Sequence, residues 1–242
     1  VKGYSIRKKQ SLLKERSYDE ELMDDLESAG EVIDQTLREL EVINRLLGGN
    51  SVTTNGIQKL IADRTYEQPL VIADLGCGGG DIMILVAKWA AKRGVEVKLI
   101  GFDANPHIID YALENCKAYD NISFEVQDIF TEEFRKRRFD IICCTLFTHH
   151  FTDEQLINIF HQFKSQARTG TIINDLHRHW FAYYAIKLLT QVFSKSPMVK
   201  YDAPLSVARS FRKKDLRKIM QRAAIDQYRL RWMWAFRWQL LF

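Results

Sequence analysis

The stretch Val71-Ile72-Ala73-Asp74-Leu75-Gly76-Cys77-Gly78-Gly79-Gly80-Asp81 is an apolar run that breaks into a glycine-rich turn and then into a helix, and the other elements fall into place around it. A strand ending in glycines lets the backbone turn tightly and approach a ligand where a Cβ would collide. The helix that follows points free N–H groups at whatever sits there. The pattern points to a nucleotide-like ligand.

The dinucleotide fingerprint needs glycines at its first, third and sixth positions; counted from Gly76, the third is Gly78 but the sixth is Asp81. The stretch instead resembles motif I of class I S-adenosylmethionine (SAM)-dependent methyltransferases, an acidic residue two before a G-x-G-x-G turn, matched by Asp74, Gly76, Gly78 and Gly80. Lys98-Leu99-Ile100-Gly101-Phe102-Asp103-Ala104-Asn105 follows, an apolar strand ending in a carboxylate about 20 residues downstream, the spacing at which an acid meets a ribose. Asp103 could otherwise cap the next helix, although Asn105 and Pro106 already supply a cap and a first-turn proline. Phe124-Glu125-Val126-Gln127-Asp128-Ile129 is a third such strand; in the family its acid meets the adenine amino group and the next apolar residue lies against the ring. The resemblance thus implies SAM as cofactor, held by Asp74, Gly76, Cys77, Gly78, Gly80, Asp103, Ala104, Asn105, Asp128, Ile129 and Thr145.

The 242 residues, 46% of them apolar, suffice for one α/β domain with additions. No apolar run reaches the ~18–20 residues that span a bilayer, and the chain starts without a signal-peptide core. Cys77, Cys116, Cys143 and Cys144 show no C-x-x-C spacing, so reduced thiols, a cytoplasmic setting and no metal site are expected. The net charge of +4 conceals an asymmetry: from Phe181 onward there are 13 Lys/Arg against 3 Asp/Glu. Such a block could attract nucleic acid or an acidic partner, or be the solvated face of a helix around Arg212–Lys218.

Residues 1–64 read as helices, with apolar positions at helical spacing through Leu37, Leu40, Ile43 and Leu47 and a stop at Gly48-Gly49. In many small-molecule methyltransferases, which this layout resembles, such a prelude covers the cofactor and walls the acceptor pocket. Glu21-Leu22-Met23-Asp24 and Ile43-Asn44-Arg45 also resemble a subgroup of bacterial methyltransferases found beside polyketide pathways. From Leu70 onward, within a domain taken as residues 65–242, strands and helices alternate, predicting a Rossmann-like, doubly wound α/β sheet of seven strands. Its antiparallel last strand comes from a hairpin over Gln227–Phe242, in which Tyr228, Leu230, Trp232 and Trp234 alternate with Arg229, Arg231 and Met233 in a half-buried pattern. The aromatic-rich helix Phe181–Phe193 reads as a cap over the acceptor or as ordinary packing; as a cap it would bring Tyr183 and Tyr184, with Leu22 and Met23, to the methyl-donor side.

Methyl transfer from a sulfonium is an in-line displacement, so the protein has to place the acceptor and, for a phenol or acid, remove a proton. Four histidines follow the fourth and fifth strands: His149, His150, His177 and His179. The first two resemble the L-H-H stretch of many small-molecule methyltransferases, where the pair often fixes the loop, so each histidine is either a base or structural. Arg45, Arg178 and Arg209 could grip a carboxylate or lie idle on the surface. The expected function is methyl transfer from SAM to a small, mostly apolar acceptor, at oxygen. The rivals are a nucleic-acid methyltransferase, disfavoured because Cys144-Thr145-Leu146-Phe147 lacks the Asn/Asp-Pro-Pro-aromatic turn, and a SAM-binding protein without turnover.

Overall fold

The computed structural model describes residues 13–62 and 66–242, so residues 1–12 and 63–64 of the expected N-terminal lid lie outside the described residues. Seven strands form one sheet in the order β3-β2-β1-β4-β5-β7-β6. β1 (Leu70–Leu75), β2 (Val97–Asp103), β3 (Ile122–Val126), β4 (Phe139–Thr145) and β5 (Ala167–Leu176) run parallel. β7 (Arg237–Leu241) inserts antiparallel between β5 and the edge strand β6 (Arg229–Met233), as the sequence leads one to expect. The strand order reverses between β1 and β4, and that crevice is where a doubly wound sheet places its ligand.

Alternation along the strands builds two cores. Ile72, Leu99, Ile141, Ile172 and Leu241 point to one face. There they meet α2 (Asn50–Ile61), α3 (Asp81–Arg93) and α4 (Pro106–Cys116). Ala73, Ile100, Ile142, Ile173 and Leu240 point to the other. They meet Phe134 of the short α5 (Glu132–Arg135), together with α6 (Asp153–Gln166) and α9 (Lys213–Arg222). A capping box between Thr152 and Gln155 starts α6 where the sequence places it.

Over the carboxyl ends of the strands lie a 3₁₀ turn (Leu22–Asp24), α1 (Glu31–Leu46) and α8 (Pro197–Arg209), joined through Met23, Ile33, Leu37, Ile108 and Met198. α2, expected among these covering helices, belongs to the sheet layer instead. A Cβ on Gly56 would stand 2.9 Å from Ile172 Cγ2, and Ile57 is fully buried against the sheet. α8 has no counterpart in the sequence-based reading, because Pro204 lies inside it and a proline interrupts a helical pattern.

α7 (Trp180–Phe193) is not a cap over the cleft. It packs outboard on α8, with Thr190 its one buried residue, and Tyr183 and Tyr184 are not on the cleft wall. Trp232 and Trp234 are exposed rather than half-buried, because β6 is an edge strand and Trp234 sits in the hairpin turn. Among the described residues no helix is long and apolar enough to cross a membrane.

Candidate functional site

A cleft of about 1510 Å³ opens at the β1/β4 switch point, large enough for a nucleotide-sized cofactor together with an acceptor. Its floor is the glycine turn. Gly76 N and Cys77 N donate to Phe102 O at 2.9 and 3.1 Å, which ties the turn to β2. At Gly76, φ is +66° and a Cβ would collide with the Phe147 ring at 2.2 Å. At Gly78, φ is +52° and a Cβ would meet nothing nearer than Leu37 at 3.9 Å, so it would project into open cleft.

Three carboxylates surround this turn. Asp74 is the last residue but one of β1, Asp81 opens α3 and Asp103 ends β2, and all three line the cleft. Asp74 Oδ1 and Asp81 Oδ2 are buried without a hydrogen-bond partner. Burial, aggravated by Asp81 and Asp103, pushes the Asp74 carboxyl well above the usual range. Burial, with Glu41 adding to it, pushes Asp81 up to about 6. Asp103 is also raised by burial, against the backbone N–H groups of Asn105, Gly78 and Ala104 that favour its ionised form. A buried acid with an orphan oxygen lacks a donor or a cation, so this half of the cleft can take either.

Cys77, Ala104, Asp128, Ile129 and Thr145 also line the cleft. Asp128 is pinned by Phe130 N at 2.8 Å, and the Thr145 hydroxyl is paired with that of Thr53 at 2.9 Å. Two expected contacts are not on the wall. Asn105 turns inward, where its Oδ1 caps α4 and its Nδ2 donates to Ser28 O. Gly80 faces the packing between turn and helix, where a Cβ would stand 2.7 Å from Cys116 Sγ.

The other half of the cleft is backed by a buried pair of histidine and carboxylate, neither of them on the wall itself. His149 Nδ1 is 2.7 Å from Asp175 Oδ1, both buried. Asp175 also accepts from the Thr148 hydroxyl at 2.6 Å, His149 N at 3.0 Å and Leu176 N at 2.7 Å. Burial alone would raise the Asp175 carboxyl, but His149 and these hydrogen bonds outweigh it and hold it at about 2. His149 Nε2 faces Glu21 Oε1 at 3.6 Å. Burial pushes Glu21 up to about 7, against His150, Ser206 and Arg209.

His150 lines the cleft, with Nδ1 2.5 Å from Asp24 Oδ1. Arg209 locks this corner by donating to Asp24 Oδ2, Asp19 O and His150 O at 2.5, 3.0 and 2.8 Å. Glu21, His149 and His150 offer ligand atoms within 4.8 Å of one another, but the positive charge among them is already a guanidinium: Arg209 Nε lies 3.7 Å from Glu21 Oε1.

His177 and His179 stand apart from the cleft. β5 continues to Leu176 and carries them past the switch point to the β6–β7 hairpin. There His177 Nδ1 accepts from Trp232 Nε1, and His179 stacks on Phe236 and caps α7. Burial, reinforced by His179, pushes His177 down to about 4. Of the three arginines singled out in sequence, Arg209 reaches the cleft. Arg178 is a buried tie to Leu13 O, Ser210 O and Asp215, and Arg45 is an exposed residue in the last turn of α1. Glu21, Asp24, Asp81 and Asp175 are site residues that sequence reasoning passes over. Asp81 and Asp175 follow the pattern of acids at loop and strand ends, whereas Glu21 and Asp24 stand in a stretch that the family resemblance picks out without assigning either a contact.

Residues 67–224 match the family described as a methyltransferase domain. Phosphoethanolamine N-methyltransferase of Plasmodium falciparum (isolate 3D7) is 27% identical over 139 residues, 55% of this chain and 50% of that protein. The chain therefore spans about half the length of the curated relative it matches. Among solved structures, the plantazolicin methyltransferase BamL in complex with a triazolic desmethylPZN analog and SAH has a TM-score of 0.59 at 15% identity, covering 81% of this chain and 70% of that one. The magnesium protoporphyrin IX methyltransferase (ChlM) from Synechocystis PCC 6803 with bound SAH has a TM-score of 0.53 at 18% identity, covering 81% and 82%. The CMeT domain of the citrinin polyketide synthase has a TM-score of 0.57 at 15% identity, covering 76% and 49%. Identities this low carry the fold alone; with the family match over most of the chain, they make this protein a member of the methyltransferase-domain family with the fold of class I SAM-dependent methyltransferases.

Proposed function

We propose that the protein transfers the methyl group of SAM to a small, mostly apolar acceptor at oxygen, a phenol or a carboxylic acid. The observation that carries this reading is the meeting in one cleft of the orphaned acids Asp74 and Asp81 with Glu21, behind which the buried His149–Asp175 pair stands. SAM supplies an electrophilic methyl on a cationic sulfur, and its amino group is a second cation. Asp74 and Asp81 would pair with that amino group, Asp103 would accept from the ribose hydroxyls, and Asp128 and Ile129 would bracket the adenine. Gly78 leaves its side-chain space to the cofactor.

Removal of the acceptor proton falls to His149. Asp175 accepts from Nδ1–H, which leaves the lone pair on Nε2, beside the cleft-lining Glu21. The acceptor O–H proton would pass through Glu21 to this Nε2 as the oxygen takes the methyl and the sulfur of SAM gives it up. Leu22, Met23, Leu37, Leu40, Phe147 and Met198 line the same space and would exclude water around an apolar acceptor.

Incubating the full chain with isotopically labelled SAM and a panel of phenols and aromatic acids should give labelled product. His149→Gln should lower kcat by roughly 100-fold or more while leaving the calorimetric Kd for SAM unchanged. Tight SAM binding without transfer to any acceptor class would favour a sensor, and full turnover by His149→Gln would remove His149 as base.

A further inference from the structure

Among the described residues that line the cleft His150 is the one histidine, and the proton path through Glu21 to His149 does not use it. Its side chain is 23% exposed, so a ligand in the cleft can reach it. Nδ1 stands 2.5 Å from Asp24 Oδ1, and Asp24 Oδ2 accepts from Arg209 Nη1 and Glu21 N. Burial would raise the Asp24 carboxyl, but the hydrogen bonds from His150 and Arg209 outweigh it and hold it well below the usual range. An ionised carboxylate at this point fixes the neutral imidazole with its proton on Nδ1, which leaves Nε2 a hydrogen-bond acceptor. Nε2 has no hydrogen-bond partner among the described residues.

Glu21 presents a second unmet acceptor close by. Its Oε1 is buried without a hydrogen-bond partner, while Oε2 accepts from the Ser206 hydroxyl. A Glu21 oxygen and a ring nitrogen of His150 lie within 4.8 Å of each other. Two acceptors so placed are the complement of two donors on one molecule, and an occupant with a single donor leaves one of them unpaired and dry. Charge narrows the class further. Glu20, Glu21, Asp24 and Asp25 line this end of the cleft, and Arg209, the one Lys or Arg among the described lining residues, is already paired with Asp24. A carboxylate would therefore enter a field of its own sign. Leu22, Met23, Phe147 and Met198 share the space, and among apolar side chains a hydroxyl costs far less to desolvate than an ammonium.

We infer that the acceptor is a phenol carrying a second hydroxyl on an adjacent or alternate ring carbon, with Glu21 taking the O–H that is methylated and His150 Nε2 the one that is not. His150 is then a specificity-determining residue, and carboxylic acids are set aside. The inference rests on the transfer to oxygen proposed above and narrows it.

Steady-state transfer from labelled SAM by the full chain tests it, with phenol, 1,2- and 1,3-dihydroxybenzene, their monomethyl ethers and benzoic acid as acceptors. One of the dihydroxybenzenes should exceed both phenol and its own monomethyl ether in kcat/KM by roughly 10-fold, with the difference in KM, as one hydrogen bond predicts. His150→Asn keeps a donor for Asp24 but has nothing at the Nε2 position, and should bring that ratio close to one at a wild-type melting temperature. His150→Gln, which returns a polar atom there, should recover part of it. Activity lost alike towards every acceptor, with the ratio unchanged, makes His150 a brace of its loop and overturns the inference. Equal use of phenol and both dihydroxybenzenes by the wild type, or preference for benzoic acid, also overturns it while transfer to oxygen stands. Transfer to none of these acceptors overturns the oxygen reading itself, and this inference with it.

Discussion

Replacing Asp103 by alanine removes two acceptor oxygens from the point where β2 meets the cleft. Desolvation raises its pKa, and backbone N–H groups, among them Asn105 N at 3.1 Å, act against that rise. Charge-assisted hydrogen bonds made by such a group to two ribose hydroxyls contribute ~1.5–3 kcal/mol net. At 1.4 kcal/mol per tenfold, that is a rise in the Kd for SAM of roughly 12- to 140-fold. The unliganded protein should not lose stability on the same scale. A carboxyl whose folded pKa is raised costs the folded state free energy at neutral pH, and alanine removes that cost. Isothermal titration with SAM, run beside thermal melts, should give the weakened Kd for Asp103→Ala with an unchanged or higher melting temperature. Asp103→Asn, keeping one acceptor, should fall between. An unchanged Kd refutes the ribose assignment. A weakened Kd accompanied by a melting temperature lowered by many degrees would make Asp103 a structural brace of the Asn105 turn instead.

Gly78→Val should fold, because the strain at φ +52° costs ~1–2 kcal/mol and no neighbour is close, yet lose more than 100-fold in SAM affinity; calorimetry with a wild-type circular dichroism spectrum checks both halves. For Asp81, raised by burial from 3.8 to about 6, the sign is that of a carboxyl protonated more readily when folded. Its contribution to stability is fully present below the unfolded value and is lost as pH rises through about 6. Thermal melts of the unliganded protein should therefore decline over that window and Asp81→Asn should flatten the decline, while the SAM affinity of the wild type rises with pH through the same window. A chain starting at Gln58 loses the first part of α2, including the buried Val52 and Ile57, at ~2–5 kcal/mol for each core residue removed. It should show no cooperative melt, and a folded, SAM-binding product would contradict the placement of α2 in the sheet layer.

The glycine-turn half of the cleft, proposed for the cofactor, was legible because each of its parts is local. An apolar run ends in glycines or in an acid, and the strand that carries the residue also positions it, so Asp74, Asp103 and Asp128 could be found one segment at a time. The acceptor half was not. Glu21 and Asp24 acquire roles only by meeting His149, His150 and Arg209, and no short-range pattern signals such a meeting. His177 and His179 looked equivalent to His149 and His150, but whether a strand stops at Asn174 or runs to Leu176 decides which end of the sheet they reach. α7 shows the limit of composition: an apolar helix announces that something touches it, while only its packing on α8 shows which side is left bare.

The ties that close the acceptor wall span nearly the whole chain. Asp24 and Arg209 are 185 positions apart, and Leu22 N reaches Asp202 Oδ1 across 180. Contacts of such separation carry the loop-closure cost of the entire intervening segment, so they form late in folding, after the parallel strands and their helices are in register. The same ordering governs partial opening of the native state: a unit held by a few ion pairs and turn hydrogen bonds releases at a lower free energy than the sheet does. The segment around Glu21 and Asp24 is therefore expected to open before the glycine turn and Asp103 do, and amide exchange faster at Leu22 and Met23 than along β1 checks it.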